Sequence, residues 1–222
     1  RRRIGAALEA GCGTGYMSRE LAARYGWRTY PVDLGWQGLA YGRELGVERL
    51  LQCDISALPF PDAVFDAVLS LDVLVHFPRG AEDRPMAELA RVAKPHALLV
   101  IRVSALDILR SRHSQFAHER QRFTRQRLLR LAARHGFRAL RATYANSLLL
   151  PVALAKFRLW EPLLRRPPAS GTAPVNPLLN SLLSVPLAFE AGWLAAGLDF
   201  PLGQSLILIA EKAQPPAQGL PK

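Results

Sequence analysis

Cysteine is scarce in this chain of 222 residues, which contains only Cys12 and Cys53. Neither lies in a CxxC or Cys/His spacing, so the sequence predicts neither a zinc site nor a disulfide framework, and no metal is expected. Few cysteines without a disulfide pattern are typical of a reducing compartment. We therefore expect a cytoplasmic protein, with contact at a membrane surface as an open alternative.

The chain also lacks a long uninterrupted apolar run. Its longest, Leu182 to Leu198, contains Pro186, Glu190 and Gly192 and falls short of the roughly 20 apolar residues that a spanning helix needs. A transmembrane segment is therefore not expected, whereas a helix on a membrane surface fits the composition. An initiator Met and an apolar signal core are missing too, since strand-like sequence follows Arg1 almost at once. We expect a piece without its true N-terminus.

Acidic residues are outnumbered, because 18 Asp and Glu stand against 29 Lys and Arg, for a formal net charge of +11. Such a surplus suits an anionic partner such as RNA, an acidic lipid or an anionic substrate. A solvated helix face has the same composition and is the expected explanation. The arginines in question are Arg102, Arg110, Arg112, Arg120, Arg122, Arg125, Arg127, Arg130, Arg134, Arg138 and Arg141.

Half of the residues are hydrophobic, which is ample for the core of one domain. Apolar runs of strand length alternate with segments of helical spacing up to Asn146, and this alternation predicts a doubly wound, mostly parallel α/β sheet. A helix is expected from Asp83 to Ala93, and another after the capping residue Thr124. The predicted strands are 4–10, 28–33, 49–53, 65–71, 97–103, 137–144 and, after an apolar insertion, 205–210.

A glycine-rich segment, Gly11 to Gly15, lies between the first predicted strand and the first helix. Glycines at such a place let the backbone pass close under a ligand. The spacing is GxGxG, whereas a dinucleotide-binding loop needs GxGxxG, so a turn that binds a pyrophosphate is disfavoured. Glu9 precedes the segment, and the next two strands end on carboxylates, Asp33 and Asp54.

This order of motifs resembles the class I S-adenosylmethionine-dependent methyltransferases, over roughly residues 4–145 and the last strand. The resemblance implies a Rossmann-like sheet of seven strands with helices on both faces, and S-adenosyl-L-methionine as the cofactor. It implies that the first loop holds the methionine moiety. It also implies that Asp33 accepts hydrogen bonds from both ribose hydroxyls and that Asp54 accepts one from the adenine amino group. The residues implied in cofactor binding are Glu9, Gly11, Cys12, Gly13, Gly15, Asp33, Leu34, Asp54, Ile55 and Leu71.

The segment Phe65 to Phe77 resembles the fourth-strand motif of the small-molecule, type 11-like subgroup. Base N-methyltransferases often carry an Asn/Asp-Pro-Pro loop where this chain has Leu71-Asp72-Val73-Leu74, so nucleic acid is a disfavoured acceptor. The resemblance therefore implies methyl transfer to a small-molecule or lipid-like acceptor. Two alternatives remain: an RNA-directed methyltransferase that uses the basic face, and a non-catalytic interaction protein with this fold.

His76 and His118 are the catalytic candidates. His76 follows the fourth strand, and an imidazole with an ordinary pKa near ~6.5 suits proton removal from a hydroxyl group. Packing against the next helix explains His76 equally well. His118 precedes the helix that is expected to border the acceptor pocket. Methyl transfer needs little beyond alignment and desolvation, so a strong base is not required.

The predicted organisation has three parts. Residues 1–147 and 201–212 form the methyltransferase domain, residues 148–200 a hydrophobic helical insertion, and residues 213–222 a flexible tail. The insertion is expected to cap the acceptor pocket or to form a homodimer surface. One departure concerns the turn Lys94-Pro95-His96-Ala97, which replaces the family's Lys-Pro-Gly-Gly and must adopt its shape without glycine.

Overall fold

The computed structural model describes residues 3–160, 163 and 176–214. Seven strands in this part of the chain form one sheet in the order β3-β2-β1-β4-β5-β7-β6. All neighbours are parallel except β7, which is antiparallel to both β5 and β6. The prediction of a mostly parallel sheet is confirmed. The strands are β1 (Ala6–Ala10), β2 (Arg28–Asp33), β3 (Leu51–Gln52), β4 (Phe65–Leu71), β5 (Ala93–Ser104), β6 (Phe137–Ala145) and β7 (Ser205–Lys212).

Helices connect the strands, as the alternation of patterns predicts. Helix α5 is capped by the Thr124 hydroxyl, which accepts a hydrogen bond from the Arg127 amide at 3.3 Å, and Gly136 follows its end with a φ of 77°. The helices are α1 (Tyr16–Tyr25), α2 (Trp36–Glu44), α3 (Asp83–Val92), α4 (Arg112–Phe116), α5 (Arg125–Arg134), α6 (Leu150–Ala155) and α7 (Pro177–Ala195), with 3-10 turns at Leu74–His76 and Asp107–Leu109 and a π-helical turn at Lys156–Trp160.

The main core lies between the sheet and its helices. Every residue of β1 is buried, as expected for a central parallel strand covered on both faces. Leu128 and Leu131 of α5 and Met86 of α3 are fully buried and join the same cluster as Leu8. The apolar face predicted for α5 is therefore the face that packs on the sheet.

The carboxyl ends of six strands meet at one edge of the sheet. Strand β6 is antiparallel to β7, which is antiparallel to β5, so β6 runs in the same direction as β5 and β1. Ala145, the end of β6, thus lies at the same edge as Ala10, the end of β1. The insertion therefore leaves the sheet at the edge where the glycine-rich segment begins, which is where α/β sheets bind ligands.

Several strand boundaries differ from the predictions, and two of these differences are large. Strand β3 contains only two residues instead of five, and β5 begins at Ala93 instead of Ala97. Pairing shifts from Phe65 with Ala93 to Ala67 with Leu98, so Lys94-Pro95-His96 forms a bulge inside the strand. His96 takes the glycine-like conformation there, with a φ of 63°, and its Nδ1 lies 3.0 Å from the Glu211 carboxylate.

None of the helices in the described ranges is long and apolar enough to cross a membrane. Residues 215–222, most of the predicted tail, lie outside the described residues, as do Arg1, Arg2 and much of the insertion between 161 and 175. Strand β7 extends to Lys212, two residues beyond its predicted end.

Candidate cofactor and acceptor site

The glycine-rich segment is fastened to the neighbouring strand. The amides of Gly11 and Cys12 both donate to the Val32 carbonyl, at 2.8 and 2.9 Å. Gly11 has a φ of 84°, and a Cβ at this position would overlap the Val73 side chain in the turn after β4. A Cβ at Gly15, at the start of α1, would likewise lie only 2.8 Å from a methyl group of Val47. Both glycines are thus required by packing.

Gly13 differs from its two neighbours. Its φ is 55°, but a Cβ here would meet nothing within 4 Å. The residue therefore faces open space at the carboxyl edge of the sheet. This open position, rather than Gly11 or Gly15, is where the backbone can approach a bound molecule.

Asp33 connects this loop to the end of β2. One carboxylate oxygen accepts a hydrogen bond from the Gly13 amide, and the other accepts one from the Gly35 amide, each at 2.7 Å. A carboxylate has about four acceptor positions, so each oxygen can accept one further donor. The residue can therefore hold a pair of hydroxyl groups while it keeps the loop in place.

Glu9, at the end of β1, is buried and accepts a hydrogen bond from the Ser18 amide at 2.9 Å. Burial raises the pKa of the Glu9 carboxyl above its ordinary value. The Ser18 amide lies in the first turn of α1, where the helix dipole favours an anion. The buried Glu9 carboxylate can therefore accept a hydrogen bond from a cationic group that little water would screen.

Asp54, after β3, is exposed, and its Oδ1 accepts the Ser56 amide at 2.8 Å. The Cys53 amide donates to the Asp33 carbonyl, which places Asp54 beside the end of β2. The predicted apolar contacts differ among themselves: Leu34 is exposed, Leu71 is half-buried, and Ile55 packs in the main core. Their contact with a cofactor stays a prediction.

The Cys12 thiol is half-buried in this loop. Burial, followed by the nearby charges of Glu9 and Asp33, raises its pKa to about 12. The thiol is therefore protonated at neutral pH and is no nucleophile. Cys12 can contribute to the site only as a neutral contact.

Two glycines that the motif analysis missed shape the same loop. Gly38 and Gly42 lie one turn apart on α2, and their shared face packs on the backbone of Gly13 and Thr14. A Cβ at Gly38 would come within 2.8 Å of the Gly13 carbonyl oxygen, and one at Gly42 would overlap the Thr14 carbonyl. The GxxxG spacing on a predicted helix was the available signal.

A fourth carboxylate at a strand end, that of Asp72, was not among the site residues predicted from the sequence. Asp72 follows β4 directly, with a left-handed φ of 61°, and its Oδ2 lies 3.2 Å from an Arg102 guanidinium nitrogen. Burial raises the pKa of Asp72, although Arg102 opposes the shift. Since β3, β2, β1 and β4 are adjacent, their carboxylates Asp54, Asp33, Glu9 and Asp72 follow one another along the edge.

The two predicted histidines are both exposed. His76 lies in the 3-10 turn after β4, and His118 has a φ of 53° in the segment before α5. The Val75 carbonyl accepts the amides of Arg120 and Gln121, at 2.9 and 3.2 Å. The structure therefore brings together the backbone segments that carry the two histidines, and their catalytic roles stay predictions.

Many of the arginines are not simply solvated. Arg122 and Glu119 form an ion pair at 2.9 Å with both side chains nearly buried, and Arg127 donates to the buried Glu82 and stacks on the Phe123 ring. At least seven of the eleven arginines lie within 4 Å of a carboxylate, so these side chains have acidic partners, while the net charge of the chain stays +11. They are Arg102, Arg110, Arg122, Arg127, Arg134, Arg138 and Arg141.

Helix α7 of the insertion is fixed to the end of β6 by a buried carboxylate. Glu190 accepts hydrogen bonds from the amides of Asn146, Ser147 and Leu148. Arg141 of β6 adds three bonds at and just beyond the C-terminal end of the helix, to the Asp199 carboxylate and to the carbonyls of Leu194 and Leu198. The insertion is thereby held at the carboxyl edge of the sheet.

Residues 8–101 match a family model described as "Methyltransferase domain", of the type 11 group. The match covers less than half of the chain, and it assigns residues 8–101 to a class I S-adenosylmethionine-dependent methyltransferase domain. The matched range contains the glycine-rich loop and all four strand-end carboxylates. The resemblance seen in the sequence is confirmed, and S-adenosylmethionine is the cofactor of this domain.

Known proteins similar to the methyltransferase domain include a probable chloroplastic tocopherol O-methyltransferase from Oryza sativa, 38% identical over 101 residues, 42% of this chain and 27% of that protein. The 2-methyl-6-phytyl-1,4-hydroquinone methyltransferase of Synechocystis is 36% identical over 98 residues, 42% of this chain and 30% of that protein. The match thus covers less than a third of either relative.

A solved structure similar in fold is the phosphoethanolamine N-methyltransferase 2 of Haemonchus contortus in complex with S-adenosyl-L-methionine. Its TM-score is 0.60 at 19% identity, over 96% of this chain and 50% of that one. The likeness extends over most of the chain and confirms the Rossmann-like fold.

Proposed function

We propose that the protein transfers a methyl group from S-adenosylmethionine to an apolar, lipid-like acceptor. One observation carries the proposal: four strand-end carboxylates and an apolar insertion meet at the same edge of the sheet. The carboxylates suit the polar cofactor, and the insertion suits an apolar molecule beside it. The division into methyltransferase domain, insertion and tail belongs to the same proposal.

The residues of the loop fit the donors of the cofactor. Glu9 would accept a hydrogen bond from the methionine ammonium, and Asp33 would accept hydrogen bonds from the ribose hydroxyls. Asp54 would accept one from the adenine amino group, since a carboxylate offers only acceptors. Gly13 leaves room for the molecule above the loop. When bound, the cofactor supplies an electrophilic methyl group on a sulfonium sulfur.

Asp72 is the base we favour for an acceptor with a hydroxyl group. It lies at the end of β4, next to Leu71, and its raised pKa makes the carboxylate a stronger base than a solvated aspartate. Arg102 holds the side chain in place. His76 and His118 remain candidates for relaying the proton to solvent.

The apolar acceptor is supported by the insertion and by the relatives. Leu148 and Val152 are exposed just after the end of β6, at the acceptor edge, where they can line a pocket. Both relatives are named for an apolar molecule that carries a hydroxyl group. An RNA acceptor has less support, because only the net charge of +11 favours it, whereas both of these relatives are named for apolar molecules.

Radiolabelled methyl transfer tests the proposal. The protein is incubated with methyl-labelled S-adenosylmethionine and, separately, with a prenylated hydroquinone, a long-chain fatty acid and bulk tRNA. We expect label in the organic extract of one of the first two reactions and none in the RNA. Label in the RNA alone would assign the basic face to catalysis. Cofactor binding without transfer to any lipid would favour the non-catalytic alternative.

A further inference from the structure

Helix α7 exposes a stripe of large apolar side chains. Leu182, Val185, Phe189 and Trp193 are spaced by three or four residues, so they lie along one side of the helix. Leu182 and Val185 are 69% and 66% exposed. We call these four residues the outer stripe. An exposed apolar stripe of this kind marks a surface that binds a partner.

The outer stripe carries no charge, and the only ionisable side chain of α7 lies on the opposite, inward side of the helix. Glu190 is the one ionisable residue in the sequence of this helix, and it is turned inward, 3% exposed, to bind three backbone amides. Serine, alanine and glycine flank the stripe. A surface without charge enters an apolar medium at little cost, whereas one exposed Lys or Glu would oppose it.

Cations and a tryptophan accompany the stripe in the same insertion. Lys156 and Arg158 are exposed in the π-helical turn, and Trp160, at its end, is 67% exposed. Tryptophan prefers the boundary between lipid tails and headgroups, and cations bind anionic headgroups. This combination is typical of segments that lie on a membrane surface.

We infer that the outer stripe docks on an anionic lipid bilayer, with Lys156 and Arg158 at the headgroups. Charge favours this occupant over a second copy of the chain, since two molecules of net charge +11 repel each other and an anionic bilayer attracts each of them. The insertion leaves the sheet at its carboxyl edge, so docking turns the acceptor side of the molecule toward the lipid. The inference does not depend on methyl transfer.

Vesicle sedimentation tests this inference, with phosphatidylcholine vesicles that contain or lack phosphatidylglycerol. The wild type should bind the anionic vesicles. The combined variant Leu182→Glu, Val185→Glu should bind at least about tenfold more weakly, because the two apolar side chains that would enter the bilayer are replaced by charged ones. The combined variant Lys156→Gln, Arg158→Gln should lose about fivefold per cation, on anionic vesicles only.

Tyr25→Glu is the matched control. Tyr25 is 66% exposed at the end of α1, at the opposite edge of the sheet, so this variant should bind vesicles like the wild type. Both sets of variants alter exposed side chains, and unchanged circular dichroism and S-adenosylmethionine binding would show that they fold.

Any of three results would overturn membrane docking. The first is absent vesicle binding by the wild type, and the second is equal vesicle binding by the wild type and the stripe variant. The third is a wild-type dimer in sedimentation velocity that the stripe variant converts to a monomer, without vesicle binding; the stripe would then bind a second copy.

Discussion

Asp33 accepts a hydrogen bond of 2.7 Å from the backbone amide of Gly13, which lies 20 positions earlier in the chain. The bond joins the end of β2 to the open position of the glycine-rich loop. It uses one acceptor position of the carboxylate and leaves others directed at the same space. The geometry of the loop and, in the proposed site, recognition of the ribose therefore depend on one side chain.

Replacing Asp33 by Ala should weaken both the loop and cofactor binding. We expect the dissociation constant for S-adenosylmethionine to rise by about tenfold or more, since hydrogen bonds to a charged group contribute roughly 1.5–3 kcal/mol. Isothermal titration calorimetry measures the change. Asp62→Asn removes an exposed carboxylate in the loop before β4 and should bind normally. Equal affinity of both variants would remove Asp33 from the site.

Gly11→Ala and Gly13→Ala should separate packing from binding. Both positions have a positive φ, which costs an alanine about 1 kcal/mol. Only at Gly11 does the new methyl overlap Val73, so this variant should lose roughly 1–3 kcal/mol more in urea denaturation. Gly13→Ala should retain most of its stability and bind S-adenosylmethionine more weakly. Similar stabilities of the two variants would contradict this assignment.

Arg127→Ala should destabilise the fold by about 3 kcal/mol, because it leaves the Glu82 carboxylate buried and unpaired. Arg130→Ala, on the exposed side of the same helix, is the control and should cost little. Chemical denaturation at neutral pH compares the two. If they lose the same stability, the ion pair contributes nothing.

The acid dependence of stability should also depend on Glu82. Burial opposes its ionisation, but hydrogen bonds from backbone amides, Arg127 and Gln121 outweigh burial and hold its pKa below the ordinary value. A lowered pKa stabilises the fold above the unfolded-state pKa, and this contribution is lost as the pH falls through the folded-state value. Glu82→Gln should therefore show a smaller loss of stability below about pH 4.5 than the wild type. Parallel pH curves would argue against this.

Glu190→Ala should release α7 without unfolding the domain. Three amides, those of Asn146, Ser147 and Leu148, lose their acceptor, so their hydrogen exchange should accelerate and proteolysis within residues 148–200 should increase. Binding of S-adenosylmethionine should change less than twofold, because the loop at Gly13 is untouched. Unchanged exchange at these amides would show that other contacts hold the helix.

Asp72→Asn should lower kcat by about tenfold or more with the cofactor affinity unchanged, if the acceptor loses a proton. Since burial raises the pKa of Asp72, wild-type activity should rise with pH through a value above that of an ordinary aspartate, and the variant should lose this limb. His76→Gln is the comparison. A lost limb in His76→Gln alone would transfer the role of base to the histidine.

The loop that we propose for cofactor binding could be recognised in the sequence because its chemistry is local. A glycine-rich segment between a strand and a helix, followed by Asp33 and Asp54 at two strand ends, needs no tertiary information to suggest its ligand. Asp72 escaped this reasoning because a carboxylate after an apolar strand is ordinary in isolation. It stands out only when the sheet order places β4 beside β1.

The role of individual arginines could not be predicted. Arg122 is nearly buried and donates to the Ala105 carbonyl, 17 positions earlier in the chain, whereas Arg130 is exposed. Likewise, Lys94-Pro95-His96 was expected to form a turn between helix and strand, but it forms a bulge inside β5. Partners distant in sequence decide both cases.

The sequence by itself determined the alternation of strands and helices, the mostly parallel sheet and the cofactor, since periodicity and turn chemistry are properties of short segments. Only the tertiary structure decided that Gly11 is required by Val73 while Gly13 faces open space, and that Glu190 is turned inward so that the exposed side of α7 carries no charge. Each of these distinctions depends on which distant atoms lie within a few ångströms, and a linear sequence does not specify those neighbours.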